Sequence, residues 1–234
     1  MSDRRAAIAG NLDRVRDRIA SACARSGRSA DEVTLTVVTK FFPASDVRLL
    51  AQLGVRHVGE NRHQEAEAKA AECADLDLVW HFIGGLQSNK AAAVMAYAAV
   101  VESVDRAKLV TGLSRGAHQH DRVLDVLVQV SLDPEDADGA RAGAAPGAVP
   151  ELAERVAQAE GLRLRGVMAV APLDEDPVPA FAKLAAVAEQ VRRVDPAATW
   201  VSAGMSNDLE AAIGAGATHV RVGSAILGAR PRIQ

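Results

Sequence analysis

Lys40 stands at the carboxyl end of a β-branched run, Val33-Thr34-Leu35-Thr36-Val37-Val38-Thr39, and is followed by Phe41-Phe42-Pro43. The two-residue period of a strand puts Thr34, Thr36, Val38 and Lys40 on one face and Val33, Leu35 and Val37 on the other. An amine at such a strand end loses part of its hydration and with it some basicity, and a partly neutral amine is what Schiff-base formation with a carbonyl compound requires. A solvated lysine capping a strand is the plainer reading of this segment alone. Two later segments change the balance. Ser202-Ala203-Gly204-Met205-Ser206-Asn207-Asp208 and Arg221-Val222-Gly223-Ser224-Ala225 both combine glycine with hydroxyls. Glycine lets the backbone approach an anion, serine donates a hydrogen bond, and a helix starting near Asn207 would aim its first amides at the same space. Each loop alone reads as an ordinary turn with an N-cap residue. Together they favour a phosphate.

In His219-Val220-Arg221-Val222-Gly223 the alternation turns Val220 and Val222 one way and Arg221 the other. If the valines face helices, the guanidinium points inward, which is costly unless something accepts its hydrogen bonds. An acidic strand residue such as Glu60, or a ligand, would serve. The segment Trp80-His81-Phe82-Ile83-Gly84-Gly85-Leu86-Gln87-Ser88-Asn89-Lys90 reads as a strand entering a site-forming loop and then a helix capped by Ser88. His57, His63 and His81 are not at metal-ligand spacing, and His118 and His120 sit at a polar helix end, so no metal is expected. Gly214-Ala215-Gly216-Ala217 follows a helix rather than preceding one and reads as its C-cap.

These residues need elements to position them. A first helix is expected over 3–27, with Ile8, Leu12, Val15 and Ile19 at helical spacing and Gly27 just past its end. Apolar β-like runs follow at 33–39, 55–59, 78–83, 99–104, 124–130, 162–170, 199–203 and 218–224. Helical periodicity lies between them at 44–53, 61–74, 88–96, 106–118, 149–160, 177–194 and 207–215. Strands alternating with helices imply a parallel sheet, and eight units match a single (β/α)₈ barrel over 33–230, with an open doubly wound sheet as the alternative. Asp133 to Pro150 reads as a long loop after the fifth strand, and no second domain is expected within 1–234. In such a barrel the site lies at the carboxyl ends of the strands, and the loops after strands seven and eight are where phosphate is held.

The 234 residues are 49% apolar but only 3% aromatic, which suits Ala-rich helices on aliphatic strands. With a net charge of −3 and scattered Lys and Arg, no nucleic-acid footprint is expected. The longest apolar stretch, Ala91 to Val101, is too short for a bilayer, and Met1 to Arg5 lead straight into an amphipathic pattern, so a cytoplasmic protein without membrane contact is expected. Cys23 and Cys73 read as ordinary thiols.

Taken together, Val37-Val38-Thr39-Lys40 with Pro43-Ala44-Ser45, Gly59-Glu60-Asn61, Trp80 to Gly84 with Leu86 to Lys90, Arg165-Gly166-Val167-Met168, Gly204-Met205-Ser206 with Asp208 to Ala212, and Val220 to Gly228 resemble the pyridoxal phosphate homeostasis proteins. The resemblance runs in order from about residue 33 to 230. It implies a fold-type-III barrel related to the amino-terminal domain of alanine racemase, holding pyridoxal 5′-phosphate (PLP) as a Schiff base on Lys40. By motif, Ser202, Ser206, Gly223 and Ser224 are then the phosphate clamp, Arg221 the partner of the pyridine nitrogen, and Asn61 a neighbour of the cofactor. Phe41-Phe42 stand where the family has a polar pair, often with a second lysine, Arg141-Ala142-Gly143 stand near its usual Lys-x-Gly, and Gly85 replaces a frequent proline.

The implied role is a monomeric carrier that binds PLP, serves intracellular vitamin B6 homeostasis, passes the cofactor to PLP-dependent apoenzymes and has little or no turnover. An amino-acid racemase on the same barrel is the rival. It requires a second acid/base group, a tyrosine supplied by a further domain, and the sole tyrosine here, Tyr97, falls on an expected helix. A cofactor-free class I aldolase would leave the inward Arg221 unexplained. Amino acids remain expected as ligands able to displace Lys40.

Overall fold

A computed structural model describes residues 2–133, 142–172 and 175–229. Among these residues eight strands form: β1 (Thr34–Val38), β2 (His57–Glu60), β3 (Val79–Phe82), β4 (Val100–Val104), β5 (Leu124–Gln129), β6 (Leu162–Met168), β7 (Trp200–Ser202) and β8 (His219–Val222). All pair in parallel with their neighbours, and β8 pairs back onto β1, with Thr36 opposite Arg221 and Val37 opposite Val222. The sheet is a closed (β/α)₈ barrel, as the alternation predicts.

The helices are α1 (Ser2–Arg25), α2 (Ala44–Gln52), α3 (His63–Glu72), α4 (Ala107–His120), α5 (Val149–Gln158), α6 (Pro177–Val194), α7 (Leu209–Gly214) and α8 (Ser224–Leu227). α6 illustrates why they form. Asp176 accepts the Val178 amide as N-cap, Pro177 takes the first helical position, and Phe181, Leu184, Val187, Ala188 and Val191 make one buried face. α1 ends as expected, with Gly27 at φ 65 and the Arg28 amide reaching back to the Cys23 carbonyl.

Two expectations need correction. The stretch 88–96 is not an α-helix but two 3₁₀ turns, Ser88–Lys90 and Ala93–Ala96, and Ser88 opens the first turn instead of capping a helix. The cause is α4, whose Gly112 and Gly116 admit this backbone so closely that a Cβ on either glycine would lie 2.7 Å from Ala91 or Ala92. The helix expected over 207–215 begins only at Leu209, behind Asp208. Of the loop expected over Asp133–Pro150, residues 134–141 lie outside the described residues, and with them Arg141.

Apolar packing is concentrated outside the barrel wall. Strand residues such as Val37, Val58, Val101, Val167, Val201, Val220 and Val222 meet the helices in two large clusters, whereas inside the barrel only Val100, Leu127 and Met168 form a small apolar group. Polar side chains are also buried there, among them His81, Glu102, Ser202, His219 and Arg221. α1 braces the site side: Asn11 Nδ2 donates to the Ile226 carbonyl (2.8 Å), and Arg18 binds Glu210 (2.7 Å) and the Ser206 carbonyl (2.9 Å). Among the described residues no helix is long and apolar enough to cross a membrane.

Candidate functional site

A cavity of about 440 Å³ opens where the chain leaves the carboxyl ends of β1, β3, β6, β7 and β8. Lys40, half-buried, lies on its wall together with Val38, Phe42 and Ile83. From the β7 and β8 loops come Ser206, Asp208, Gly223 and Ser224, with the two serine hydroxyls 3.4 Å apart. The first amides of a helix have no partner within it, so the start of α8 adds donors beside those hydroxyls. Gly223 fits close against β1: a Cβ there would lie 3.1 Å from the Val38 carbonyl oxygen.

Arg221 also reaches this cavity, and its other contacts lie inside the barrel. Its Nη2 donates to the Ala169 carbonyl (2.8 Å) and its Nη1 to Ser202 Oγ (2.7 Å). Ser202 in turn donates to Glu102 Oε2 (2.6 Å), Glu102 Oε1 meets His81 Nδ1 (2.7 Å), and His81 Nε2 lies 2.9 Å from His57 Nδ1. Burial alone would raise the Glu102 carboxyl, but the His81 contact, the Arg221 charge and the Ser202 hydroxyl hold it down at about 2. It is therefore a buried carboxylate that balances a buried guanidinium. Burial pushes Arg221 below its ordinary value, opposed by Glu102 and Asp208.

A second polar group lies behind Lys40, between the barrel wall and α3. Lys69 Nζ donates to the Thr39 carbonyl (2.9 Å), Glu60 Oε1 (2.6 Å) and Glu65 Oε1 (3.0 Å). The Thr39 hydroxyl donates to Glu60 Oε1 (2.6 Å), and the Phe41 amide to Glu65 Oε1 (2.6 Å). Phe41 itself sits in the left-handed region at φ 70. Burial raises the Glu60 carboxyl against the pull of Lys69 and Thr39.

Residues 6–231 match the family described as alanine racemase, N-terminal domain. The pyridoxal phosphate homeostasis protein of Mycobacterium tuberculosis (strain ATCC 25618 / H37Rv) is 43% identical over 97% of this chain and 95% of its own length. The chain belongs to the pyridoxal phosphate homeostasis family. The Escherichia coli (strain K12) member is 40% identical over 95% of this chain and 97% of its own. PipY of Synechococcus elongatus PCC7942, solved with PLP bound, superposes with a TM-score of 0.79 at 36% identity, covering 92% of this chain and all of that one (100%). Alanine racemase from Corynebacterium glutamicum shares the fold at a TM-score of 0.71 and 14% identity, covering 98% of this chain and 63% of that one.

Of the residues singled out from sequence in this homeostasis-family barrel, the structure brings Lys40, Ser206, Arg221, Gly223 and Ser224 to one cavity. Ser202 is not on that wall. It is fully buried, and its hydroxyl is held between Arg221 and Glu102. Asn61 also lies off the wall, packed where a Cβ on Gly84 would come within 2.6 Å of its Oδ1. Glu60 does not pair with Arg221: it faces the helix layer and binds Lys69, and Glu102 is the acid near Arg221, 3.8 Å away. Asp208 precedes α7 without capping it by its side chain: its Oδ1 accepts the Met205 amide (2.5 Å), and the Leu209 amide returns to the Met205 carbonyl (3.1 Å). Sequence reading missed Glu102, although a carboxylate inside Val100-Val101-Glu102-Ser103-Val104 is the same anomaly that marks Arg221. It missed Lys69 and Glu65 because charges four apart on a helix ordinarily face water. Among the described residues no group of His, Cys, Asp or Glu could hold a metal ion.

Proposed function

We propose that this chain binds PLP, keeps it as a Schiff base on Lys40 and serves intracellular PLP homeostasis with little or no turnover of its own. The observation that carries the proposal is one cavity lined by an amine, Lys40, by two serine hydroxyls 3.4 Å apart at the start of α8, and by a buried guanidinium, Arg221. The fit is chemical as well as spatial. A phosphate is matched by the hydroxyls of Ser206 and Ser224 and by the first amides of α8 beside them. Arg221 presents a donor to an unprotonated ring nitrogen. Ser202 and Glu102 act on the cofactor only through Arg221. PLP supplies an aldehyde for the amine and a ring that withdraws electrons.

The low turnover follows from what the side chains do. Arginine keeps its proton in proteins, so Arg221 donates a hydrogen bond to the ring nitrogen rather than protonating it, and electron withdrawal is weakened. Tyr97 is outside the cavity wall, stacked on His63 (centroids 5.8 Å apart) with its hydroxyl 3.5 Å from His63 Nδ1. Burial and nearby carboxylates raise that phenol well above its ordinary value, which suits it poorly to proton abstraction. Amine exchange at Lys40 is thereby favoured over removal of an α-proton, which is what a carrier delivering PLP to apoenzymes needs.

The test is the visible spectrum of the purified protein with PLP before and after borohydride, followed by peptide mapping. A reduced adduct on Lys40 is expected. An adduct on Lys69 or Lys90, or robust alanine racemisation abolished by Lys40→Ala, overturns the reading.

A further inference from the structure

We propose that Glu65 and Lys69 of α3 are positioning residues for Lys40, holding the peptide groups on either side of it so that its side chain is aimed into the cavity. The proposal rests on the preceding reading in that Lys40 is the residue that captures the cofactor. Lys69, only 5% exposed, donates to the carbonyl of Thr39, the residue before Lys40. Glu65 accepts the amide of Phe41, the residue after it. The four-residue spacing sets both side chains on one face of α3, where they also bind each other (3.0 Å). Glu60, at the end of β2, completes the group by accepting from Lys69 and from the Thr39 hydroxyl, each at 2.6 Å.

Between these anchors the chain leaves β1 and turns sharply, the Phe42 amide returning to the Thr39 carbonyl at 3.0 Å. Phe41 pays for that turn with a left-handed backbone at φ 70, a conformation a residue with a side chain keeps only when its surroundings over-determine it. The two anchors supply that determination at the peptides that fix the direction of the Lys40 side chain. A glycine at 41 would take the same φ unaided. A group that merely tied α3 to the sheet would need neither the Phe41 amide nor the Thr39 carbonyl.

The experiment separates capture by Lys40 from occupancy of the cavity. Capture is followed by the absorbance that grows when PLP is added to the cofactor-free protein and by the fraction fixed on Lys40 with borohydride. Occupancy is measured with 4′-deoxypyridoxine 5′-phosphate, which has the ring and phosphate but no aldehyde. Glu65→Ala is expected to slow capture on the order of tenfold or more while binding the deoxy compound as the parent chain does. Adding Phe41→Gly to Glu65→Ala is expected to restore capture in part. Capture at the parent rate by Glu65→Ala, or loss of capture and of deoxy-compound affinity by the same factor, overturns the proposal. Should Glu65→Ala not fold, Glu65→Asp, which withdraws the carboxylate from the Phe41 amide but keeps the charge, is read by the same two measurements and outcomes. If the parent chain fixes no PLP on Lys40, the functional reading falls as well. If it does and the variants match it, only the positioning role falls.

Discussion

Ser202 and Ser224 are both serines beside the same guanidinium or anion site, yet their surroundings give them different work. Ser224 is exposed at the cavity with its hydroxyl toward Ser206, whereas Ser202 is sealed between Arg221 and Glu102. Removing the Ser224 hydroxyl is therefore expected to weaken PLP but not pyridoxal, since a hydrogen bond to an ionised group contributes about 1.5–3 kcal/mol, roughly ten- to a hundredfold in affinity. Ser202→Ala is expected to weaken both vitamers by a similar factor, because it acts through Arg221. Titrating each variant with both vitamers decides this, and a phosphate-selective loss in Ser202→Ala would return that hydroxyl to the clamp. Lys40 and Arg221 were legible in the sequence because a charge at an inward strand position conflicts with the apolar pattern around it. Ser202 shares the inward parity of Arg221 but not its place at the cavity, and alternation reports the face of a strand without the depth along it. Asn61 was offered by motif alone, with no physical signal to place it.

At the scale of elements, the eight strands and most helices were readable because a closed parallel barrel buries its strands as apolar runs between amphipathic helices. The stretch 88–96 was not, because its Ala-rich composition favours a helix while packing against α4 dictates otherwise. Two glycines test that explanation. Gly116→Ala gains about 1 kcal/mol of helix propensity, but the new methyl group meets Ala92 Cα at 2.7 Å and its carbonyl oxygen at 2.9 Å, backbone that α4 holds in place. Overpacking costs about 1–3 kcal/mol, so the variant is expected to be destabilised in urea unfolding. Gly10→Ala in α1 meets nothing closer than 3.9 Å and is expected to be stabilised by about 0.5–1 kcal/mol. Equal unfolding midpoints for the two variants would remove the packing explanation of the 3₁₀ turns.

For the molecule as a whole, the polar barrel interior predicts how stability depends on pH. Burial lowers His57 from 6.5 to about 4 and His219 to about 3, and Glu102 is held at about 2. All three fold with depressed pKa values, so the unfolded chain takes up protons first as the pH falls. The histidine contribution is lost from about pH 6.5 downward through 4 and 3, and the Glu102 contribution from 4.5 through 2. Glu60, raised by burial, opposes them: its contribution is present below pH 4.5 and is lost as the pH rises through its folded value. The depressed groups outnumber it, and the melting temperature is expected to drop on the order of 5–10 °C between pH 7 and pH 4. Calorimetry showing no change over that range would mean that the interior imidazoles are not desolvated as described. The β1–β8 seam carries a different consequence. Lys40 leaves β1 while Gly223 and Ser224 leave β8, and these two parts of the cavity wall are brought side by side by the pairing of β1 with β8, Thr36 with Arg221 and Val37 with Val222 among its pairs. During synthesis on the ribosome the amine is therefore made long before the anion-holding loop that faces it. A growing chain lacks the Gly223–Ser224 part of that cavity until its final strand has emerged and docked, so full retention of PLP is expected only once the barrel has closed.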